Sequence, residues 1–136
     1  MTDAPRESAE QAALFEWIHL VERQYPGIEL GFAIPNGAFL QGNKIQRAIQ
    51  WRRLEAQGCR AGVADMCFPV ARRGYHGLWI ELKRTGATES SVSKEQREFL
   101  EAMTQNGYCA VWCSGWVQAA EKLAWYFGSE EVARCL

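Results

Sequence analysis

Hydrophobic positions along this chain recur first at helical spacing and then, in the middle, at strand spacing. From Ser8 onward Leu14, Trp17, Ile18 and Val21 form one apolar stripe at three- and four-residue steps. Ser8 with Gln11 fits a capping box at the start of this helix, and Pro26-Gly27 closes it. Asn36-Gly37, within Ile34-Pro35-Asn36-Gly37, is a strong turn signal. A second helix is predicted from about Asn43 to Gln57, stopped by Gly58, with Ile45, Ala48 and Ile49 inward and Arg47, Arg52 and Arg53 solvated.

The period then changes. Val63 to Val70 and Leu78 to Lys83 read as strands, joined by the hairpin connection Arg72-Arg73-Gly74-Tyr75-His76-Gly77. Ser93 with Gln96 opens a third helix carrying Phe99, Leu100 and Met103, which Gly107 ends. Tyr108 to Cys113 reads as a short buried strand. Val117, Ala120, Leu123, Ala124 and Phe127 mark a last helix before Gly128. The order α, α, β, β, α, β, α describes an α/β domain, a small mixed sheet flanked by helices.

A length of 136 residues fits a single domain with one core, residues 8–127 within 1–136. A hydrophobic share of 48% and a charged share of 23% exclude a disordered tail. No apolar run approaches the roughly 20 residues of a membrane span, so no membrane association is expected. Met1 to Glu7 lacks a basic n-region and an apolar h-region, so no secretory signal is visible. Five widely spaced cysteines without a C-x-x-C pair argue against a disulfide scaffold and for a reducing cytoplasm.

The net charge of −1 conceals a division along the chain. Between residues 44 and 84 lie nine basic residues (Lys44, Arg47, Arg52, Arg53, Arg60, Arg72, Arg73, Lys83, Arg84) against three acids, Glu55, Asp65 and Glu81. The remainder holds six basic and thirteen acidic residues. A basic middle between acidic ends suggests a local anionic partner, with nucleic acid the first candidate.

The candidate chemistry lies inside that basic stretch: Asp65, then fifteen residues, then Glu81-Leu82-Lys83. Side chains alternate faces along a strand, so Leu78, Ile80 and Leu82 point into the core while Trp79, Glu81 and Lys83 share the other face. Pairing with the preceding strand brings Asp65 to the same place. Two adjacent carboxylates repel unless a proton or a cation intervenes, and their oxygens suit Mg²⁺ or Mn²⁺. Such an ion activates water and polarises a phosphoryl oxygen, and Lys83 beside it can orient the water or offset developing charge. The plain alternative is an exposed ion pair between Glu81 and Lys83 contributing at most about 1 kcal/mol. Glu10 and Gln96 also fall on inward faces, where each has an ordinary explanation: an acid at a helix N-terminus, and half of a capping box.

Together these segments resemble a stand-alone virus-type replication-repair nuclease (VRR-NUC) domain of the PD-(D/E)xK nuclease superfamily. The matching segments are Glu10 to Trp17, Ile34-Pro35-Asn36-Gly37, Gly58 through Gly62 to Asp65, Tyr75 to Lys83, Ser93 to Gln96, and Gly107-Tyr108. The resemblance implies a restriction-endonuclease-like core and a metal held by Asp65, Glu81, Glu10 and the backbone carbonyl of Leu82. It makes Lys83 the catalytic lysine and Gln96 a supporting residue. It further implies structure-selective cleavage of branched or flapped DNA by a homodimer similar to Holliday-junction resolvases, often from phages or bacteria. The superfamily's Pro-Asp is Ala64-Asp65 here, which leaves the metal-binding carboxylate in place.

Lys44, Arg47, Arg52, Arg53, Arg60, Arg72, Arg73 and Arg84 are the candidate DNA contacts, and Trp51 the candidate for stacking on a base. His19 and His76 are too isolated for a zinc site, and Cys109 and Cys113 read as core thiols. A helix-turn-helix over residues 43–65 fails because no second periodic helix follows Gly58. Two other readings stand beside the dimeric nuclease: a flap or nicking nuclease acting as a monomer, and a non-catalytic DNA-binding or phage assembly module.

Overall fold

The computed structural model describes residues 6–35 and 40–128. The Asn36-Gly37 turn and the tail from Ser129 lie outside the described residues. Helix α1 spans Glu7–Val21, α2 Lys44–Ala56, α3 Lys94–Gln105 and α4 Trp116–Phe127. Strands are β1 Phe32–Ala33, β2 Met66–Phe68, β3 Leu78–Lys83 and β4 Cys109–Ser114. The sheet order is β1-β2-β3-β4, antiparallel across the first two pairs and parallel between β3 and β4. The parallel step requires a crossover, which α3 supplies.

Alternation along β3 builds the two layers. Leu78, Ile80 and Leu82 pack with Leu14 and Ile18 of α1 and with Leu123, Tyr126 and Phe127 of α4, all buried. On the opposite face Trp79 meets Phe99 of α3 edge-on, 5.1 Å between centroids. Arg73 and Gly74 both carry positive φ, 53° and 83°, and make the tight β2–β3 hairpin turn. Cys109 and Cys113 are buried thiols, and burial pushes Cys113 up to about 12.

Several elements differ from the sequence expectation. Helix α1 begins at Glu7 with Arg6 as its N-cap and no side-chain cap, so Ser8 and Gln11 lie inside the helix and form no capping box. The strand expected over Val63 to Val70 is paired only over Met66–Phe68, and the two-residue β1 is too short to show a period. On α2 Ile45 is 72% and Ile49 47% exposed, and none of the helix's residues is buried. The apolar period was real, but the half-buried side is that of Gln50, Trp51 and Leu54. Val117 likewise faces solvent, while α4 buries the expected Ala120, Leu123 and Phe127 together with Ala119 and Tyr126.

Tyr126 is fully buried, and its hydroxyl donates to the Val70 carbonyl at 2.6 Å, pinning α4 to the segment after β2. Tyr126→Phe removes the donor and leaves that carbonyl short of a partner. A loss of about 1–3 kcal/mol, read as a lower urea midpoint at unchanged slope, is the expected result.

Candidate active site

The carboxylates meet where β2 begins and β3 continues past it. Asp65 directly precedes β2, and Met66 pairs with Ile80, so beyond that pair β3 has no backbone partner on this side. The Asp65 carboxylate takes its place: Oδ2 accepts from the Leu82 N–H at 2.7 Å. A residue's N–H and C=O leave a strand on the same edge, so the Leu82 carbonyl also faces the side past the start of β2.

Glu81 is 2% exposed. Its Oε1 accepts from Gln96 Nε2 at 2.9 Å and lies 3.5 Å from Lys83 Nζ. Its Oε2 is buried and receives no hydrogen bond from an N–H donor, and the carboxyl bears on that of Asp65. Burial first, and then the charge of Asp65, push the Glu81 carboxyl up to about 8 against the opposing pull of Lys83. Gln96 makes two contacts at once. Its amide oxygen accepts from the Ser93 N–H at 2.9 Å, closing the capping box of α3, while its amide nitrogen reaches Glu81. The start of α3 therefore fixes the Glu81 side chain.

Lys83 is buried, so its pairing with Glu81 is not the exposed ion pair of the plain alternative. Sequence reading missed its other neighbour, Glu7 Oε1, 4.0 Å from Nζ. The available signal was helical spacing: Glu7 lies three residues before Glu10, on the same side of α1. Glu10 itself is buried, but its Oε2 accepts from the Thr85 hydroxyl at 2.7 Å. Gly115, at φ 85°, permits this close passage, since a Cβ there would run into Thr85 Oγ1 and Glu10 Oε2. Among the described residues no three Asp, Glu, His or Cys side chains gather into a metal-binding group. The carboxylate pair is thus Asp65 and Glu81, with Glu10 bound to Thr85, which no sequence pattern had marked.

The basic residues divide into two regions. Lys44, Arg47, Arg52 and Arg53 are exposed on α2, Arg60 is exposed on the loop leading to Asp65, and Arg84 is exposed directly after Lys83. Arg72 and Arg73 lie in the hairpin at the Leu78 end of β3, away from Glu81 and Lys83. Both are engaged there. Arg72 donates to the Pro26 carbonyl at 3.1 Å, and Arg73 Nε to the Trp125 carbonyl at 2.6 Å, with the Arg73 guanidinium over the Trp125 ring. His19 is solvent-exposed on α1 beside Glu22, and His76 stacks edge-on against Tyr108.

A mixed sheet with helices on both faces is an α/β domain of restriction-endonuclease-like fold, and an acidic pair lies beside a buried lysine where two of its strands part. The chain belongs to the VRR-NUC family, whose model, the VRR-NUC domain, matches residues 5–116. A solved structure titled "VRR_NUC domain protein" has the same fold, with a TM-score of 0.72 and 24% identity over 92% of this chain and 90% of that one. No curated protein matches. None of the described helices is long and apolar enough to cross a membrane.

Proposed function

We propose that this nuclease-family protein is a divalent-metal-dependent endonuclease hydrolysing phosphodiester bonds at branched or flapped DNA. The observation that carries the reading is the buried carboxyl pair of Glu81 and Asp65 beside the Lys83 ammonium, 3.5 Å from Glu81 Oε1. Two buried carboxyls side by side, one of them pushed up to about 8 by burial and by the charge of its neighbour, fit a cation better than a core packing role. The donor set is all oxygen: Asp65, Glu81 and the Leu82 carbonyl. Mg²⁺ or Mn²⁺ suits such a set, since these ions are commonly held by one or two carboxylates together with waters and substrate phosphate.

A bound divalent ion would lower the pKa of the attacking water and offset charge on the phosphoryl oxygens. The chain's own groups supply the rest. Leu82 N–H and Gln96 hold the two carboxylates in fixed orientation. Lys83 donates to the attacking water or to a non-bridging oxygen as the new P–O bond forms and the bond to the leaving sugar oxygen breaks. Glu10 assists at one remove, holding Thr85 and with it the chain just beyond Lys83. Exposed Lys44, Arg47, Arg52, Arg53, Arg60 and Arg84 hold the phosphate backbone.

The test compares labelled Holliday-junction, flap and linear duplex DNA with Mg²⁺, with Mn²⁺ and with EDTA. Cleavage of branched over linear substrates, abolished by EDTA, is expected; DNA binding without cleavage of any substrate overturns the reading in favour of a binding module. Paired symmetric cuts across a junction require two sites related by a twofold axis, the resolvase-like homodimer. A monomer by light scattering that cuts one strand is the flap or nicking nuclease instead.

Arg72 and Arg73 provide an internal contrast. Their guanidinium groups serve backbone carbonyls and aromatic rings of the fold, so Arg73→Ala is expected to reduce stability by about 1 kcal/mol with DNA affinity retained. Arg52→Ala is expected to do the reverse, leaving the denaturation midpoint unchanged and reducing the salt slope of DNA binding by about one unit. Denaturant titration and salt-dependent binding of both variants check the pair.

A further inference from the structure

The carboxylate pair lines a cleft of about 670 Å³ that also reaches Trp51 of α2. Its lining is of two kinds. Glu7, Asp65, Glu81 and Gln96 give it polar groups, whereas Ile34, Pro35, Leu40, Trp51 and Val63 give it an apolar and aromatic wall. Arg60 contributes to the lining between Cys59 and Ala61 and is itself exposed. Such a wall offers nothing to phosphate or sugar. It suits a flat, weakly polar ring whose other atoms stay attached to a charged backbone.

Trp51 is not a core residue displaced toward the surface. It belongs to a helix without a single buried side chain, and its indole is only half-buried against the cleft. The helix that carries it is nevertheless well fixed. Asn43 and Gln46 form a capping box at its start, and Gln50, one residue before Trp51, exchanges hydrogen bonds with the Gln41 backbone at 3.0 and 2.8 Å. Arg52 and Arg53, the next two residues, project to solvent. One short segment thus presents an aromatic ring to the cleft and two cations outside it, the combination that tracks a single strand by stacking bases while neutralising phosphates.

We propose that this cleft receives an unpaired nucleobase stacked on Trp51, next to the phosphate that is cut. The proposal rests on the nuclease reading above and narrows its substrate class. A base inside a continuous duplex has both faces covered by its neighbours and cannot stack on Trp51. A base at a flap, a bulge or the opened centre of a junction can, at a smaller unstacking cost than one drawn from an intact duplex. Selectivity for DNA structure then comes from the cleft's demand for a free base, with no reading of sequence.

The experiment uses the full chain, with Ca²⁺ as the divalent ion, and a branched duplex carrying 2-aminopurine at the first unpaired position. Its companions carry an abasic site there or are fully paired. Wild type is expected to quench 2-aminopurine on binding and to bind the abasic substrate about fivefold or more weakly. Trp51→Ala is expected to lose the quench and bind base-containing and abasic substrates alike, while Trp51→Phe keeps part of the discrimination. Equal wild-type affinity for the two substrates overturns the proposal, and that comparison needs no variant to fold. Equal loss by Trp51→Ala on both substrates also overturns it, making Trp51 a packing residue. Discrimination without cleavage in Mg²⁺ or Mn²⁺ removes the nuclease reading and leaves the base pocket. Cleavage without discrimination does the opposite.

Discussion

Lys83→Ala is expected to lower the single-turnover rate of branched-DNA cleavage by about a hundredfold or more, with DNA binding retained. Lys83 is 6% exposed and lies within ion-pair distance of Glu81 and Glu7, so it is no outer clamp on the DNA backbone. What it supplies is one preorganised positive donor in a site shielded from water, where such a donor is worth far more than at the surface. Its removal also takes a cation from beside Glu81, strengthening that carboxyl's hold on a proton and on a divalent ion alike. The rate is therefore read at saturating Mg²⁺, with binding in Ca²⁺ as the control. Equal losses of rate and binding would reduce Lys83 to a structural partner of Glu81. Lys83→Arg is not expected to restore the rate, because a planar fork does not match a buried pocket built around a compact ammonium.

The sequence made this site legible because its two strands keep their periods. Alternation from Leu78 to Lys83 put Glu81 and Lys83 on one face, and the hairpin after Phe68 runs back at a register that brings Asp65 to Leu82. The capping signal at Ser93 likewise located Gln96 within reach of Glu81. What stayed hidden depended on which element covers which face. Helical spacing on α2 showed two sides and not which one meets the body, so Ile45 and Ile49 were expected inside when Trp51 and Leu54 face that way. Glu10 carried the right signal of an acid on an inner stripe. Its partner Thr85 arrives from the segment after β3, which Gly115 lets come close to α1. Local charge density grouped Arg72 and Arg73 with the other basic residues, yet the hairpin carries them to the opposite end of β3. Charge counted along a chain cannot follow a strand that reverses.

Glu81→Gln is expected to raise the stability of the metal-free protein at pH 8 while abolishing its response to divalent cations. The folded carboxyl is pushed up to about 8, chiefly by burial, whereas the unfolded one titrates near 4.5. Below the lower value both states hold the proton and nothing is lost. Between the two the unfolded chain has released its proton and the folded one keeps it, so this group's stabilising contribution declines as pH rises through about 8, by a few kcal/mol at most. Glutamine never ionises there, and its amide oxygen can still accept from Gln96. Divalent ions compete with the same proton. Wild type should therefore gain more melting temperature from Mg²⁺ at pH 8 than at pH 6, and the variant should gain none at either. Calorimetry with chelator or with saturating Mg²⁺ at both pH values makes the comparison. A variant that melts below wild type at pH 8 in chelator, or that responds to Mg²⁺ as wild type does, would show that the Glu81 charge is matched within the fold. The difference between the two proteins is the informative quantity, since every other carboxylate titrates alike in both. It should shrink toward pH 4.5, where the side chain of wild type is as neutral as the glutamine that replaces it.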